Sequence, residues 1–286
     1  DPTAARTVTL PNASGQARYV QQDRIINLTN SYLVYLNECG TPLDPTDDAL
    51  SDDDVDDSGC FQLAIDSVDS SRVGGRLQDV TLYIPPGEWR LNSSLTYDGD
   101  NGFDNISFVG SGPGSVLSMF DNTTVGAVLN FTDMFTWEVS NFTIIKGGTI
   151  RTDHIIVMNN VDRGNLHNIT IRGSNNTGGI RITDAGGSSN GNWIHEITMD
   201  DLRATSGTVR GIGLHLDMSN NGSLDNRVTN MIAFPQAVLG TGESIIYIAR
   251  GSGLIFNTID VNPNTDQFAW DIRGDVPALG VQRTDR

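Results

Sequence analysis

The sequence predicts an all-β fold, a parallel β-helix of about seven coils, and three observations lead to this prediction. A five-residue pattern with apolar third and fifth positions occurs seven times, its copies recur every 26 to 36 residues, and no long amphipathic helix pattern separates them. Alternating apolar positions are typical of a half-buried strand, and repeats of roughly 20 to 50 residues are typical of a solenoid. The copies are Gln78–Leu82, Asp104–Phe108, Ser140–Ile144, His167–Ile171, His195–Met199, Thr229–Ala233 and Asn257–Val261.

Each position of the pattern has a predicted place in the coil. Strands that stack on their own copies lie about 4.8 Å apart, so equivalent positions form columns along the axis. The second position, which is Asn in four copies (Asn105, Asn141, Asn168 and Asn230), is predicted at a corner with positive φ, where stacked Asn side chains hydrogen-bond to one another. The predicted inward columns are Val80, Ile106, Phe142, Ile169, Ile197, Met231 and Ile259, and then Leu82, Phe108, Ile144, Ile171, Met199, Ala233 and Val261.

A second series of short apolar segments supports the same coil count. Where the spacing between the patterns lengthens, around residues 121–137 and 216–226, we expect inserts that project from the coil and offer contact surfaces. The second series is Val128–Leu129, Ile155–Val157, Ile180–Ile182, Ile212–Leu214, Ile246–Ile248 and Trp270–Ile272.

The chain is predicted to have two regions. Residues 1–50 lack the repeat and are predicted to be an attachment or capping segment, whereas residues 51–286 form the β-helix domain. Within that domain a helix is predicted over about residues 57–69, with Phe61 and Ile65 on its apolar face. Because an open solenoid end exposes strand edges and apolar side chains, we expect this helix to cap the first coil. The chain starts at Asp1 without Met or a visible signal peptide, which favours a processed or trimmed product.

The segment 56–118 resembles the opening of a known superfamily. Its features are Asp56-Asp57-Ser58, then the strand and turn of residues 80–91 with Pro85-Pro86-Gly87, and then residues 106–115. These are similar to the pectin-lyase-like right-handed parallel β-helix superfamily, in particular to viral tailspikes and related surface polysaccharide-binding proteins. The resemblance implies that the parallel β-helix is right-handed. It also implies a spike, fibre or turret protein on a virion, in which residues 1–50 contact other virion proteins.

The charge of the chain indicates its environment. The net charge is −17, 30 of the 35 acidic residues are Asp, and Lys146 is the single lysine. This charge argues against nucleic acid as a partner, and the lack of a long apolar run argues against membrane insertion. An ordinary acidic secreted protein would explain the charge but not the scarcity of lysine. We favour a halophilic protein, whose acidic surface stays soluble in salt that screens its self-repulsion.

The two cysteines, Cys39 and Cys60, flank a segment rich in Asp. A disulfide between them would contribute roughly 3 kcal/mol and would place the protein outside a reducing cytoplasm. Two buried free thiols are the alternative.

The acidic loop of residues 44–57 has alternate Asp spacing of the kind found in calcium loops. However, Asp57 and Leu63 stand where an EF-hand requires Gly and Glu, so an EF-hand is excluded. We expect a solvated loop and no cofactor, and a looser structural Ca²⁺ site is the alternative.

Four carboxylates on adjacent predicted coils are the candidates for catalysis. Carboxylates one or two strand spacings apart would lie about 5 or 10 Å from each other, which covers the separations of retaining and inverting glycosidases. Chance pairs are also expected on a surface with so many Asp residues. The candidates are Asp184, Glu196, Asp200 and Asp217, and no metal site is expected, since His167 and His195 should stack as a structural ladder.

Aromatic and glycan-bearing residues complete the candidate sites. Trp137 lies in an expected insert and is the best candidate for an exposed aromatic residue that stacks on a sugar, whereas Trp89, Trp193 and Trp270 are expected in the core. Ten Asn-x-Ser/Thr sequons occur, and those in turn-rich segments are the credible glycosylation sites. These are Asn122, Asn175 and Asn221.

The predicted function is adhesion at the surface of a virus of salt-loving archaea, where the protein binds host-surface glycans or surface-layer protein. A trimer or another cyclic homo-oligomer is expected. The alternatives are a polysaccharide-degrading enzyme of the tailspike type, a glycoside hydrolase or lyase, and a cellular surface adhesin.

Overall fold

The computed structural model has the predicted fold, an all-β parallel solenoid with almost no helix. Its single described helix is α1 (Ser58–Asp69). The structure describes residues 26–28, 31–35, 56–69, 80–99, 106–119, 126–147, 154–173, 178–185, 187–202, 213–218, 225–235, 244–250, 255–261 and 268–272. Within these residues no helix has the length and apolar character needed to span a membrane.

The described strands form two long sheets. One is eleven-stranded, with the order β1-β2-β3-β6-β9-β11-β13-β15-β17 and with β4 and β7 joined to it through β9, and the other is seven-stranded, with the order β18-β16-β14-β12-β10-β8-β5. The strands are β1 (Ile26–Leu28), β2 (Ser31–Tyr35), β3 (Val80–Ile84), β4 (Gly87–Arg90), β5 (Leu95–Asp98), β6 (Ile106–Gly110), β7 (Ser115–Met119), β8 (Leu129–Thr132), β9 (Trp137–Lys146), β10 (His154–Asn159), β11 (Asn165–Gly173), β12 (Gly178–Thr183), β13 (Trp193–Leu202), β14 (Leu214–Asp217), β15 (Arg227–Pro235), β16 (Ser244–Arg250), β17 (Ile255–Val261) and β18 (Phe268–Ile272).

The five later copies of the sequence pattern stack as predicted. Ile169 pairs with Phe142 on one side and with Ile197 on the other, and the column continues to Met231 and Ile259. The first four of these residues are almost completely buried. This column and its neighbour, which runs from Ile144 to Ala233, form part of the core between the two sheets.

The first two copies occupy a different position in the coil. Ile106 pairs with Trp137 and Phe108 with Val139, so these copies lie upstream of the corner, while β7 pairs with the second half of β9. This shift changes the place of the two copies within the coil and leaves the stacking order of the strands unchanged. The pattern repeats in both strands because both alternate toward the same core, and alternation alone does not distinguish them.

The second predicted series is confirmed as the seven-stranded sheet. Leu129, Ile156, Ile180, Leu214 and Ile246 are in register on successive strands. Trp270 of β18 continues this register.

The Asn corners are also confirmed. The pattern's second residue has a φ of 63° in Asn141, 52° in Asn168, 56° in Glu196, 52° in Asn230 and 53° in Thr258. The side-chain amide of Asn168 donates to Asn141 Oδ1 at 3.1 Å, which is one step of the predicted Asn ladder. Asn tolerates this left-handed conformation better than most residues, so its recurrence bends each strand at the same place.

Helix α1 caps the first coil as predicted. Phe61 and Ile65 are buried in the core, and the ring of Phe61 lies 5.8 Å from that of Trp89. The side chain of Gln62 donates to the Thr96 carbonyl and accepts from the Thr96 N–H, each at 2.9 Å. These two bonds satisfy backbone groups at the open edge of β5 that would otherwise remain unpaired.

The residues before α1 pair with the edge of β4. The backbone N–H of Asp57 donates to the Arg90 carbonyl at 2.8 Å, and the Arg90 N–H donates to Asp57 Oδ2 at 3.2 Å. Burial raises the pKa of Asp57 to about 7; the Arg90 N–H opposes this rise, and the charge of Asp56 adds to it. Asp57 is thus a buried carboxyl at the capped end of the solenoid.

Part of the N-terminal region joins the solenoid. β2 pairs in parallel with β3, and β1 pairs antiparallel with β2, so the boundary at residue 50 does not separate this stretch from the sheet. The attachment function predicted for residues 1–50 stays a prediction.

Candidate functional site

The outward side of the eleven-stranded sheet, which we call the outer face, carries the candidate site. Side chains alternate between core and solvent along each strand, and the parallel register places equivalent residues in columns. Two outward columns precede the Asn corner. The first is Thr81, Ser107, Glu138, Asn165, Trp193, Arg227 and Ile255, and the second is Tyr83, Val109, Ser140, His167, His195, Thr229 and Asn257.

Three rings on this face form a planar stack, which consists of His167, His195 and Trp193. The two imidazoles are parallel within 3°, with centroids 4.8 Å apart, as the predicted ladder required. The Trp193 ring stacks on His195 at 4.0 Å and 29°. Trp193 and His195 are two residues apart on one strand, so strand geometry places their rings side by side.

The indole of Trp193 is held in place but remains accessible. Its Nε1–H donates to Thr229 Oγ1 at 2.9 Å, and His195 packs against its ring. Even so, 40% of Trp193 is exposed. A large aromatic surface that is fixed and open to solvent is suited to stacking on a flat ligand.

The electrostatics of the stack keep His195 uncharged. Burial lowers the pKa of His195, the adjacent His167 lowers it further, and Glu196 partly opposes both effects from 3.8 Å away. His167 Nε2 lies 3.1 Å from Glu138 Oε1, which also accepts the Ser140 hydroxyl at 2.7 Å. At neutral pH the stack is therefore free of repulsion between two imidazolium rings.

An open groove of about 340 Å³ adjoins the planar stack. Glu138 lines the groove and also contacts His167, so the groove and the stack are one continuous surface, which we call the outer-face strip. From Thr81 to Arg227 the first column crosses five strand spacings, roughly 24 Å. The groove is lined by Val80, Thr81, Ser107, Thr136, Trp137, Glu138, Arg163 and Asn165.

The expected exposure of Trp137 is wrong. Trp137 begins β9 and is only 3% exposed, because its ring packs against the backbone of Gly164, where an added Cβ would come within 1.9 Å of the ring. Trp89 is buried as expected, whereas Trp193, which was also expected in the core, is the exposed tryptophan. The side chain of Trp270 lies outside the described residues.

The structure divides the four candidate carboxylates between the two sheets. Asp184 follows β12 and Asp217 ends β14, and the Asp184 N–H donates to the Asp217 carbonyl at 3.2 Å. Glu196 and Asp200 both lie on β13 of the other sheet. Asp184 is buried, so its carboxyl group is not open to a polymer, and the exposed Glu196 lies beside His195.

The predicted disulfide, glycosylation sites and acidic-loop cation site remain predictions. Cys39, Asn122, Asn175, Asn221 and most of the acidic loop lie outside the described residues, and Cys60 lies in α1. In the described part of the chain, no group of three or more His, Cys, Asp or Glu side chains is placed to hold a metal ion.

Sequence reasoning did not predict that Trp193 and Arg227 lie together on the outer face. The signal was present, since Trp193 and His195 alternate with buried residues in the strand that contains the fifth copy of the pattern. Recognising Arg227 as a neighbour of Trp193 required the register of two strands that are distant in sequence.

Comparisons with known proteins find similarity only at the level of architecture. No protein-family model matches the sequence, and no curated protein matches it. An open-reading-frame product of Geobacillus virus E2, ORF18, is 15% identical over 85% of this chain, with a TM-score of 0.45, and this chain spans 62% of its length. An iota-carrageenase in complex with iota-carrageenan fragments is 18% identical over 84% of this chain and 60% of its own, with a TM-score of 0.34.

The A-module of the Azotobacter vinelandii mannuronan C-5 epimerase AlgE4 is 12% identical over 87% of this chain and 100% of its own, with a TM-score of 0.23. These proteins are parallel β-helix proteins. At such identities and TM-scores they assign neither ligand nor activity to this chain, so the functional argument rests on the geometry of the outer-face strip.

Proposed function

We propose that the protein binds a surface polysaccharide along its outer-face strip. The observation that carries the proposal is Trp193, a large ring that is 40% exposed and held flat by His195 and Thr229. Aromatic faces stack on the apolar faces of sugar rings, and a rigid aromatic residue loses little conformational entropy on binding. The strip is long enough for several sugar units.

The groove supplies polar contacts beside this aromatic platform. Thr81, Ser107 and Asn165 place hydroxyl and amide groups along one column, and these groups both donate and accept hydrogen bonds. Sugar hydroxyls have the same dual character. An open groove with an aromatic platform at its end therefore suits a chain of sugars better than a compact ligand.

The positions and burial of the described carboxylates support binding of a polysaccharide better than they support its cleavage. Glycoside hydrolysis needs two accessible carboxyl groups on opposite sides of the scissile bond. The candidate pair that the structure brings into neighbouring positions is Asp184 and Asp217, and Asp184 is buried.

The setting that we propose is the surface of a virion in a high-salt environment, where a homo-oligomer binds the polysaccharide of a host. The excess of Asp and the single Lys146 support high salt, because salt screens the repulsion of a net charge of −17. A melting temperature that does not rise with NaCl concentration would contradict the halophilic part of this proposal.

The test compares Trp193→Ala with Phe234→Ala in binding to polysaccharides purified from candidate host cells. Phe234 is a matched control because it is an aromatic residue of the same sheet with 39% exposure that lies after the Asn corner and outside the outer-face strip. Trp193→Ala is expected to weaken binding about five- to thirtyfold, whereas Phe234→Ala leaves it nearly unchanged, since lost aromatic stacking costs about 1–2 kcal/mol. Equal losses in both variants would indicate general surface hydrophobicity and would contradict the proposal.

A further inference from the structure

We infer that the outer-face strip recognises a polysaccharide with repeated anionic groups, carboxylate or sulfate, through Arg163 and Arg227. This inference rests on the proposed function and adds the class of ligand. It is carried by the placement of two arginines at the strip and by the lack of an ion pair between either of them and a carboxylate of the described residues.

Each of these arginines lies over an aromatic ring. The guanidinium carbon of Arg163 is 5.0 Å from the centroid of Phe135, and that of Arg227 is 5.8 Å from the centroid of Trp193. Such cation–π contacts orient a guanidinium group without consuming its N–H donors. Both residues are exposed, so the donors are available to a ligand.

Neither arginine forms an ion pair with any residue that the structure describes. The whole chain has 35 acidic residues for 18 basic ones, so protein carboxylates are not scarce. The acidic groups nearest the stack have other partners: Glu138 interacts with Ser140 and His167, and Glu196 lies beside His195. Two guanidinium groups therefore remain for an external anion, which they can bind bidentately.

The net charge of −17 does not prevent such binding in salt. Repulsion from the rest of the surface acts over the Debye length, which is about 8 Å at physiological ionic strength and about 3 Å at 1 M salt. A bidentate contact between guanidinium and an anion acts at hydrogen-bond distance and is screened less. High salt would thus remove the long-range repulsion while the local contact persists.

The register also sets the spacing of the anions. Arg163 precedes Asn165 by two residues, and Asn165 is in register with Trp193 and then with Arg227. The two arginines are therefore separated by two strand spacings, about 10 Å, along the solenoid axis. The strand of Trp193 lies between the strands of the two arginines, so a sugar unit at the exposed part of this ring would have an arginine on each side along the axis.

Three probes that share one backbone test the inference: dextran, carboxymethyl dextran and dextran sulfate. Binding of each is measured at one ionic strength for the wild type, Arg163→Gln, Arg227→Gln and Arg172→Gln. Arg172 is the matched control because it is an exposed arginine on the same sheet that lies after the Asn corner and outside the outer-face strip. We expect a charged dextran to bind more tightly than dextran, with roughly tenfold loss in each strip variant and little loss in Arg172→Gln.

The inference is overturned if neither charged dextran binds more tightly than dextran, or if Arg172→Gln weakens binding as much as the strip variants do. The first result excludes an anionic ligand, and the second indicates general charge attraction. Failure of the proposed function would give a different result. The charged dextrans would still bind, but Trp193→Ala would not weaken their binding. The relative affinities of the two charged probes identify the preferred anion.

Discussion

The outward sides of the two sheets carry similar residues but differ in exposure. On the outer face, His167 and His195 stack in parallel beside Trp193, which is 40% exposed. On the seven-stranded sheet, His154 meets His215 edge to face at 5.5 Å, and His215 meets Tyr247 at 4.8 Å. There His154 is only 2% exposed and Tyr247 only 6%.

Strand alternation therefore determines on which side of the sheet a residue lies, but not whether the residue is buried or exposed there. His215 and Tyr247 are in register on neighbouring strands and face away from the core column of Leu214 and Ile246, as His195 faces away from Ile194. Yet His154 and Tyr247 are buried, whereas Trp193 is accessible. Ligand binding is therefore expected on the accessible face, and the buried face is expected to contribute to stability.

The largest expected effect contrasts Tyr247→Ala with Trp193→Ala in stability. Truncation of the buried Tyr247 removes its packing against His215 and leaves a cavity, so the free energy of unfolding should fall by about 3 kcal/mol. Trp193→Ala removes an exposed ring and should cost about 1 kcal/mol or less. Denaturant unfolding of both variants measures the difference, and equal costs would contradict the contrast between the two faces.

A smaller effect concerns two neighbouring carboxyls in the cap. Burial raises the pKa of Asp57 to about 7, so between about pH 4 and 7 the unfolded chain loses a proton that the folded chain retains. The contribution of Asp57 to stability therefore falls as pH rises through this window. Asp57→Asn should remove that fall and raise the free energy of unfolding by about 1–3 kcal/mol above pH 7.

Asp56→Asn is the control, and its expected effect on the free energy of unfolding has the opposite sign. Burial acts to raise the pKa of Asp56, but hydrogen bonds from Ser58 and the Asn92 N–H, together with the Arg90 charge, outweigh it and lower the pKa. Asp56 therefore stabilises the fold above its unfolded pKa and loses this contribution as pH falls. Its replacement should destabilise the protein at neutral pH, and a stabilising effect in thermal melts would show that the assignment of the two carboxyls is wrong.

The smallest effect is on the titration of the planar stack. Burial lowers the pKa of His195, and His167 lowers it further. His167→Gln should raise that pKa but leave it below the ordinary value, because burial remains. NMR titration can follow His195, since the chain has only four histidines. An unchanged pKa would show that the two parallel rings do not interact electrostatically.

Most of the architecture was predictable because it depends on local patterns. Apolar alternation, the recurrence of the pattern and the Asn corners predicted both sheets, the core columns of the later coils and the helix that caps the first coil. The place of the first two copies was wrong, since the copies at Ile106 and Ile169 have similar patterns but occupy different parts of the coil. Two strands that face the same core satisfy the same pattern, so only pairing distinguishes them.

The site was much less predictable. Trp137 and Trp193 lie in similar polar surroundings in the sequence, yet one packs against Gly164 and the other stacks on His195 in solvent. Likewise, Arg227 meets Trp193 only because β15 pairs with β13 in one particular register.

The sequence by itself determined that this chain forms a parallel solenoid, because the period and the alternation of its side chains are properties of neighbouring residues. Only the tertiary structure shows which outward residues are covered, which rings stack and which arginines form no ion pair with a described carboxylate. These features depend on the register between strands that are about 30 residues apart in the chain, and that register results from the packing of the whole core.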